Sequence, residues 1–111
     1  MDTHTCDAAS DAASDAMVFL SRRWMSAVLL AAGRGAVRFG TYRRMVAGIS
    51  DRMLSVRLKE LVSHGLIRRE VVPTMPVQVL YHLTERGRSL LDAATSMARW
   101  AYGNTGEAGT H

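Results

Sequence analysis

Three features of the sequence predict an α+β, mainly α fold. Leucines recur with helical period behind Ser50, two short apolar strands flank Pro73 and Pro76, and a long amphipathic segment follows Thr84. At 111 residues the chain fits one compact domain with a single small core.

The elements follow in order. Residues 7 to 16 repeat Asp-Ala-Ala-Ser every four residues, which stacks like charges on one helical face, so residues 1–13 are expected to form a disordered acidic leader. Structure is expected from about Ser14, through Met17, Val18 and Phe19. Ser21 is read as the N-cap of a helix carrying Trp24, Val28 and Leu29, which Gly33 and Gly35 end. Ala36 to Arg38 reads as a short extended piece, and Phe39 to Val46 as a short helix with Phe39, Tyr42 and Met45 inward.

The next helix carries the strongest signals. Ser50 is its N-cap, Asp51 favours its first turn, and Leu54, Leu58 and Leu61 form its buried stripe. It ends at His64, with Gly65 at C′ and Leu66 placed to touch Leu61. Strands are expected over Leu66 to Val72 and Val77 to Leu83, with Val79, Tyr81 and Leu83 on one face of the second. Thr84 caps a last helix bearing Leu90, Leu91, Met97 and Trp100, and residues 103–111 read as a disordered tail. Three helices, a hairpin and a final helix over residues 14–102 give the order of a winged helix-turn-helix.

Composition narrows the function. Residues 1 to 16 hold Asp2, Asp7, Asp11 and Asp15 and no Lys or Arg, so residues 17 to 111, with 14 basic and 6 acidic residues, carry +8. A basic domain behind an acidic leader points to a polyanion, with nucleic acid ahead of a membrane surface, although excess charge also serves solubility. The arginine excess fits forked contacts to phosphate or guanine, or a GC-rich genome. No apolar run has the ~20 residues of a membrane helix and no signal peptide is evident, so a cytoplasmic protein is expected. The lone Cys6 has no intrachain partner.

With the leucine stripe inward, Arg52, Val56, Lys59 and Ser63 lie on the opposite face of the Ser50 helix, and Ser55 on its flank. In a major groove, Arg52 suits a bidentate contact to guanine, Ser55 either base type, and Val56 a thymine methyl. Arg57 and Lys59 suit phosphates, as do Arg38 and Arg43 before the helix and Arg68 and Arg69 after it. Tyr42, Ser50, Asp51 and Gln78 complete the candidate DNA-contacting set. An amphipathic helix in any soluble protein also exposes Arg and Lys, and the position between a tight turn and a hairpin favours DNA. His4, His82 and His111 have no ligand spacing with one another or with Cys6, so no metal or other cofactor is expected. No nucleophile–base pair, phosphate loop or paired carboxylates argue for an enzyme. A winged-helix adaptor that binds protein and not DNA is the competing class, supported by Val56 and Leu80.

From about Met17 to Trp100 the chain resembles the HxlR-type branch of bacterial winged-helix regulators, relatives of the MarR group. The similar segments are Arg23-Trp24, Arg38-Phe39, Tyr42-Arg43-Arg44 and Gly48 to Ser55, then Arg57 to Leu61 and Gly65 to Arg69. Pro76 and Tyr81 to Gly87 complete them. The resemblance implies a transcriptional regulator, with repression expected, that binds an inverted repeat in duplex DNA as a homodimer built by its first and last helices. Met17, Phe19, Trp24, Leu90, Leu91, Met97 and Trp100 are the residues expected to line that dimer, or a small-molecule effector site within it. Three departures stand out. Asp11 occupies the position, thirteen residues before Trp24, where the family commonly has a redox-sensing cysteine, leaving only Cys6 for that role. Val77 and Gln78 replace a proline and a basic residue in the wing, and Leu80 a residue that is usually acidic.

Overall fold

A computed structural model describes the backbone of residues 3–110 and the side chains of residues 8–103. Its elements are α1 (Thr3–Ser21), α2 (Met25–Gly33), α3 (Phe39–Met45), α4 (Asp51–Ser63), β1 (Ile67–Val72), β2 (Gln78–Leu83) and α5 (Glu85–Thr110). This is the order of a winged helix-turn-helix, mainly helical, with one antiparallel hairpin as its wing.

The core forms around α2, which packs against α1, α3, α4, α5 and β2. Met25, Val28 and Leu29 of α2 are fully buried against Leu54, Leu58 and Leu61, the whole of the leucine stripe of α4. Burial of a leucine side chain is worth about 1.5–3 kcal/mol, so this stripe is what holds α4 to the body and leaves its other face outward.

Both ends of α4 follow its sequence. Ser50 is extended, and its Oγ accepts from the Met53 amide at 3.1 Å. At the other end the Leu66 amide donates to the Leu61 carbonyl at 2.9 Å and the Gly65 amide to Val62 at 3.0 Å, with Gly65 at φ 73°. That left-handed residue closes a Schellman ending, and α2 ends in the same way on Gly35. The end of α4 also meets the start of α5. The Thr84 hydroxyl donates to the Gly65 carbonyl at 2.7 Å and accepts from the Gly87 amide at 3.0 Å.

In the wing, Ile67 pairs with Leu83 and Val72 with Gln78. A bridge between Arg38 and Leu80, with the Tyr81 amide donating to the Val37 carbonyl at 2.8 Å, adds the expected extended piece as a third edge.

The structure departs from the sequence expectations at several points. Ser21 does not cap α2. It is the last residue of α1, and its hydroxyl donates back to the Val18 carbonyl at 2.7 Å. The residue before α2 is Trp24, left-handed at φ 72° and ψ −9°, a conformation that turns the indole onto the core. Such a conformation costs about 1–2 kcal/mol, which indole burial offsets. Gly33 is the last residue of α2, as expected, and it has a second role. An added Cβ there would lie 2.1 Å from Leu91 Cδ2, so the glycine lets α5 cross closely. Met45 is exposed, and Val46 takes its place inside because the chain leaves helical geometry there, at φ −105° and ψ 82°. Finally, α1 starts at Thr3 and α5 runs to Thr110, so the boundaries expected at 14 and 102 fall within helices. In α1 the recurring alanines favour helix and offset a few tenths of a kcal/mol of repulsion per aspartate pair.

Candidate nucleic-acid interface

The outward face of α4 carries Arg52, Ser55, Val56 and Lys59, which line one shallow surface cleft with Glu60 and Ser63. Among the described residues neither Arg52 nor Lys59 takes part in an ion pair. Val56 is exposed between them. The Ser63 hydroxyl is turned back onto the helix, donating to the Glu60 carbonyl at 3.0 Å. The surface therefore presents two uncompensated cations, one hydroxyl and one methyl pair on a helix whose axis is set by its leucines. Those are groups that hydrogen-bond guanine, contact phosphate and pack on thymine.

The flanking arginines are differently disposed. Arg43 reaches both carboxylate oxygens of Asp51 at 3.3 Å across the turn before α4, an exposed pair worth about 0–1 kcal/mol. A phosphate can compete for it at little cost. Arg38 donates to the Gln78 side chain at 3.3 Å and so ties the start of α3 to the wing. Arg68 and Arg69 are neighbours in β1, opposite His82 and Tyr81 respectively. Alternation sends them to opposite faces of the hairpin, so only one of them can face a given strand of a duplex.

Two residues of the candidate contact set are removed from it by their surroundings. Tyr42 is fully buried. Its hydroxyl donates to the Tyr81 carbonyl at 2.9 Å, and the two rings meet edge-on. Burial, with Tyr81 alongside, pushes the phenol well above its ordinary range, and it serves the core. Arg57 is also committed inward. Its Nε donates to the Arg23 carbonyl at 2.7 Å and its Nη1 to Glu60 at 2.5 Å, leaving the side chain 13% exposed. Glu60 takes a second arginine, Arg22, at 2.7 Å. Glu60 and Arg22 complete this cluster, and the i,i+3 spacing of Arg57 and Glu60 is its one local signal in the sequence.

The residues expected at a dimer or effector site divide into two groups. Phe19 and Leu91 are buried in the protomer core, and Trp24 and Leu90 pack against it. Phe19 lies in a ring contact of 4.5 Å with His64, the residue that caps α4. Met17, Met97 and Trp100 are exposed, as are Val18 and Tyr102. The seven residues thus share no pocket. The groove between α1 and α5 is lined by Ala12, Ala16, Phe19, His64 and Leu90, among others, and only Phe19 and Leu90 are common to both. Cys6 lies outside the residues whose side chains are described. Among the described residues no group of His, Cys, Asp and Glu could hold a metal ion, and no single helix is long and apolar enough to cross a membrane.

A free basic helix face, a preceding helix and turn, and a following two-stranded wing define the helix-turn-helix class of DNA-binding proteins. Residues 19–108 match the model of the HxlR-like helix-turn-helix family, and the chain belongs to that family. It is 35% identical over 86 residues to YvaP of Bacillus subtilis, an uncharacterized HTH-type transcriptional regulator, covering 78% of this chain and 80% of YvaP. The HTH-type transcriptional regulator YodB of B. subtilis is 36% identical over 86 residues, covering 78% of this chain and 77% of YodB. The solved reduced form of YodB superposes with a TM-score of 0.73 at 35% identity, over 79% of this chain and 86% of that one. A MarR-family transcriptional regulator from Enterococcus faecalis superposes with a TM-score of 0.84 at 27% identity, over 100% of this chain and 96% of its own.

Proposed function

We propose that this protein is a sequence-specific DNA-binding regulator that acts in the cytoplasm as a homodimer on an inverted-repeat operator. The observation that carries this reading is the uncompensated Arg52–Ser55–Val56–Lys59 face of α4, held outward by a fully buried leucine stripe. Exposed Met17 and Val18 on α1 with Met97, Trp100 and Tyr102 on α5 support a two-fold assembly, since apolar side chains of this size on adjoining long helices gain by covering one another. A two-fold dimer sets its two α4 helices about 34 Å apart, one turn of duplex. Repression is the simplest outcome, because a dimer seated on promoter DNA excludes polymerase without contacting it. The groove between α1 and α5 offers room for a small apolar effector beside His64, at the end of the reading helix.

The test selects duplexes from a random library with the full chain, then measures affinity against salt and the mass of the complex. Binding to a palindromic consensus, with two chains per duplex and affinity that falls as salt rises, is expected. Failure to enrich any duplex, or stable capture of a protein partner by a chain that ignores DNA, would overturn the reading.

A further inference from the structure

Two acids lie in α4, Asp51 and Glu60, and each is held by an arginine from outside the helix. Arg43 of α3 reaches Asp51. Arg22, in the turn between α1 and α2, reaches Glu60. Its Nη1 donates to Oε2 at 2.7 Å, while Oε1 accepts from Arg57 of α4 itself at 2.5 Å, so both carboxylate oxygens are engaged. Asp51 suits its place, because a negative charge in the first turn faces the positive end of the helix dipole. Glu60 falls in the second half of α4, where the dipole gives an acid no support.

The position of Glu60 makes its orientation matter. It lines the same shallow cleft as Arg52, Ser55, Val56, Lys59 and Ser63, and it follows Val56 by four residues, which makes the two neighbours on the helix surface. A carboxylate free to turn outward there would stand beside Arg52 and Lys59, the two cations of the cleft that have no ion pair among the described residues. It would cancel part of their field, and like charges facing one another across an interface oppose binding.

Arg22 is placed to prevent this. Its guanidinium lies over the Phe19 ring, 5.1 Å from the centroid, and Phe19 is itself buried, with the His64 ring 4.5 Å away. The aromatic face beneath it favours the direction in which the fork points. The side chains of Arg22 and Glu60 are 41% and 28% exposed, so the pair sits at the rim of the cleft and outside the core. A pair this exposed adds little to folding, and its effect falls on where the carboxylate stands.

We propose that Arg22 is a positioning residue for DNA binding: it holds the Glu60 carboxylate against Arg57 and off the outward face of α4, so that this face stays cationic. The inference rests on the DNA-binding reading above. It gives a part in recognition to a residue of the α1–α2 turn that acts through Glu60 and makes no DNA contact of its own.

The experiment uses the full chain and a duplex selected by the wild type, and titrates Arg22→Met, Glu60→Gln and the double variant, with a urea midpoint for each. Methionine keeps an apolar stem over Phe19 and removes the charge. Arg22→Met should leave the midpoint nearly unchanged and weaken binding about tenfold. Adding Glu60→Gln to it should restore the affinity, because an amide brings no charge to the cleft. Arg22→Lys, which keeps a cation at the rim, should bind much as the wild type does. Unchanged affinity in Arg22→Met would overturn the proposal. So would a double variant as weak as Arg22→Met, the result if Arg22 itself grips a phosphate or only sets the angle of α4, and so would an equal loss in Arg22→Lys. A wild type that enriches no duplex would overturn the parent reading instead.

Discussion

The Arg57 guanidinium donates its Nε to the backbone carbonyl of Arg23 at 2.7 Å, so the middle of α4 is fastened to the turn between α1 and α2. The bond spans 34 residues of sequence and leaves Arg57 13% exposed, with Glu60 as its second partner. Arg57 therefore braces α4 from behind its outward face.

Replacing Arg57 with Ala should cost about 1.5–3 kcal/mol in urea unfolding, because charge-assisted bonds made by a side chain only 13% exposed are lost together with its packing. Arg57→Lys should recover little, since an ammonium cannot reach both acceptors as the planar fork does. The salt slope of DNA binding should not change for either variant.

Arg52 and Lys59 should behave in the opposite way. Arg52→Ala is expected to cost about 1–3 kcal/mol of binding and to relax preference at one base position. Lys59→Ala should weaken binding to all sequences alike and reduce the salt slope by about one. Neither should shift the urea midpoint appreciably, since neither is ion-paired among the described residues. Competition titrations against single-base variants of the selected duplex distinguish the two roles.

Tyr42→Phe should destabilise the fold by about 1 kcal/mol through loss of its bond to the Tyr81 carbonyl, with DNA affinity unaffected once the protein is folded. The same residue predicts alkaline behaviour. Burial raises the folded phenol above its unfolded value of about 10, so the folded state holds this proton more tightly. Its contribution is fully present below pH ~10 and is lost as pH climbs beyond that, and Tyr42→Phe should flatten this decline. Denaturant midpoints between pH 8 and about 11 for the two proteins provide the check.

Gly87→Ala should destabilise by about 1–3 kcal/mol despite the better helix propensity of alanine, because the new Cβ would lie 2.1 Å from the Leu66 carbonyl oxygen. Gly103→Ala, whose Cβ would meet nothing within 4 Å, is the control and should be neutral or slightly stabilising. Thermal melting of the pair separates packing from propensity.

These residues also show what was legible in the sequence. The boundaries and inward face of α4 depend on neighbours in the chain, through the Ser50 cap, the leucine period and the Gly65 ending, and could be read directly. The family resemblance followed from the same local patterns. Which cations are free could not be read, because Arg57 and Lys59 differ only in what the fold brings to them: for Arg57 the Arg23 carbonyl, for Lys59 no ionic partner among the described residues. From the sequence Tyr42 reads both as an inward residue of α3 and as a DNA contact, two readings that its burial against Tyr81 separates. The left-handed Trp24 lay beyond propensity arguments, since tertiary burial of its ring overrides the local preference.

The hydroxyl of Thr84, bonded to both the Gly65 carbonyl and the Gly87 amide, makes the end of α4 and the start of α5 share one side chain. Arg86 adds a second rivet by donating to the His64 carbonyl at 3.0 Å. The two helices form an elbow of set angle and not a hinge. Movement of α5 at this joint is expected to carry the end of α4 with it, so a contact made far along α5 would be felt at the outward face of α4.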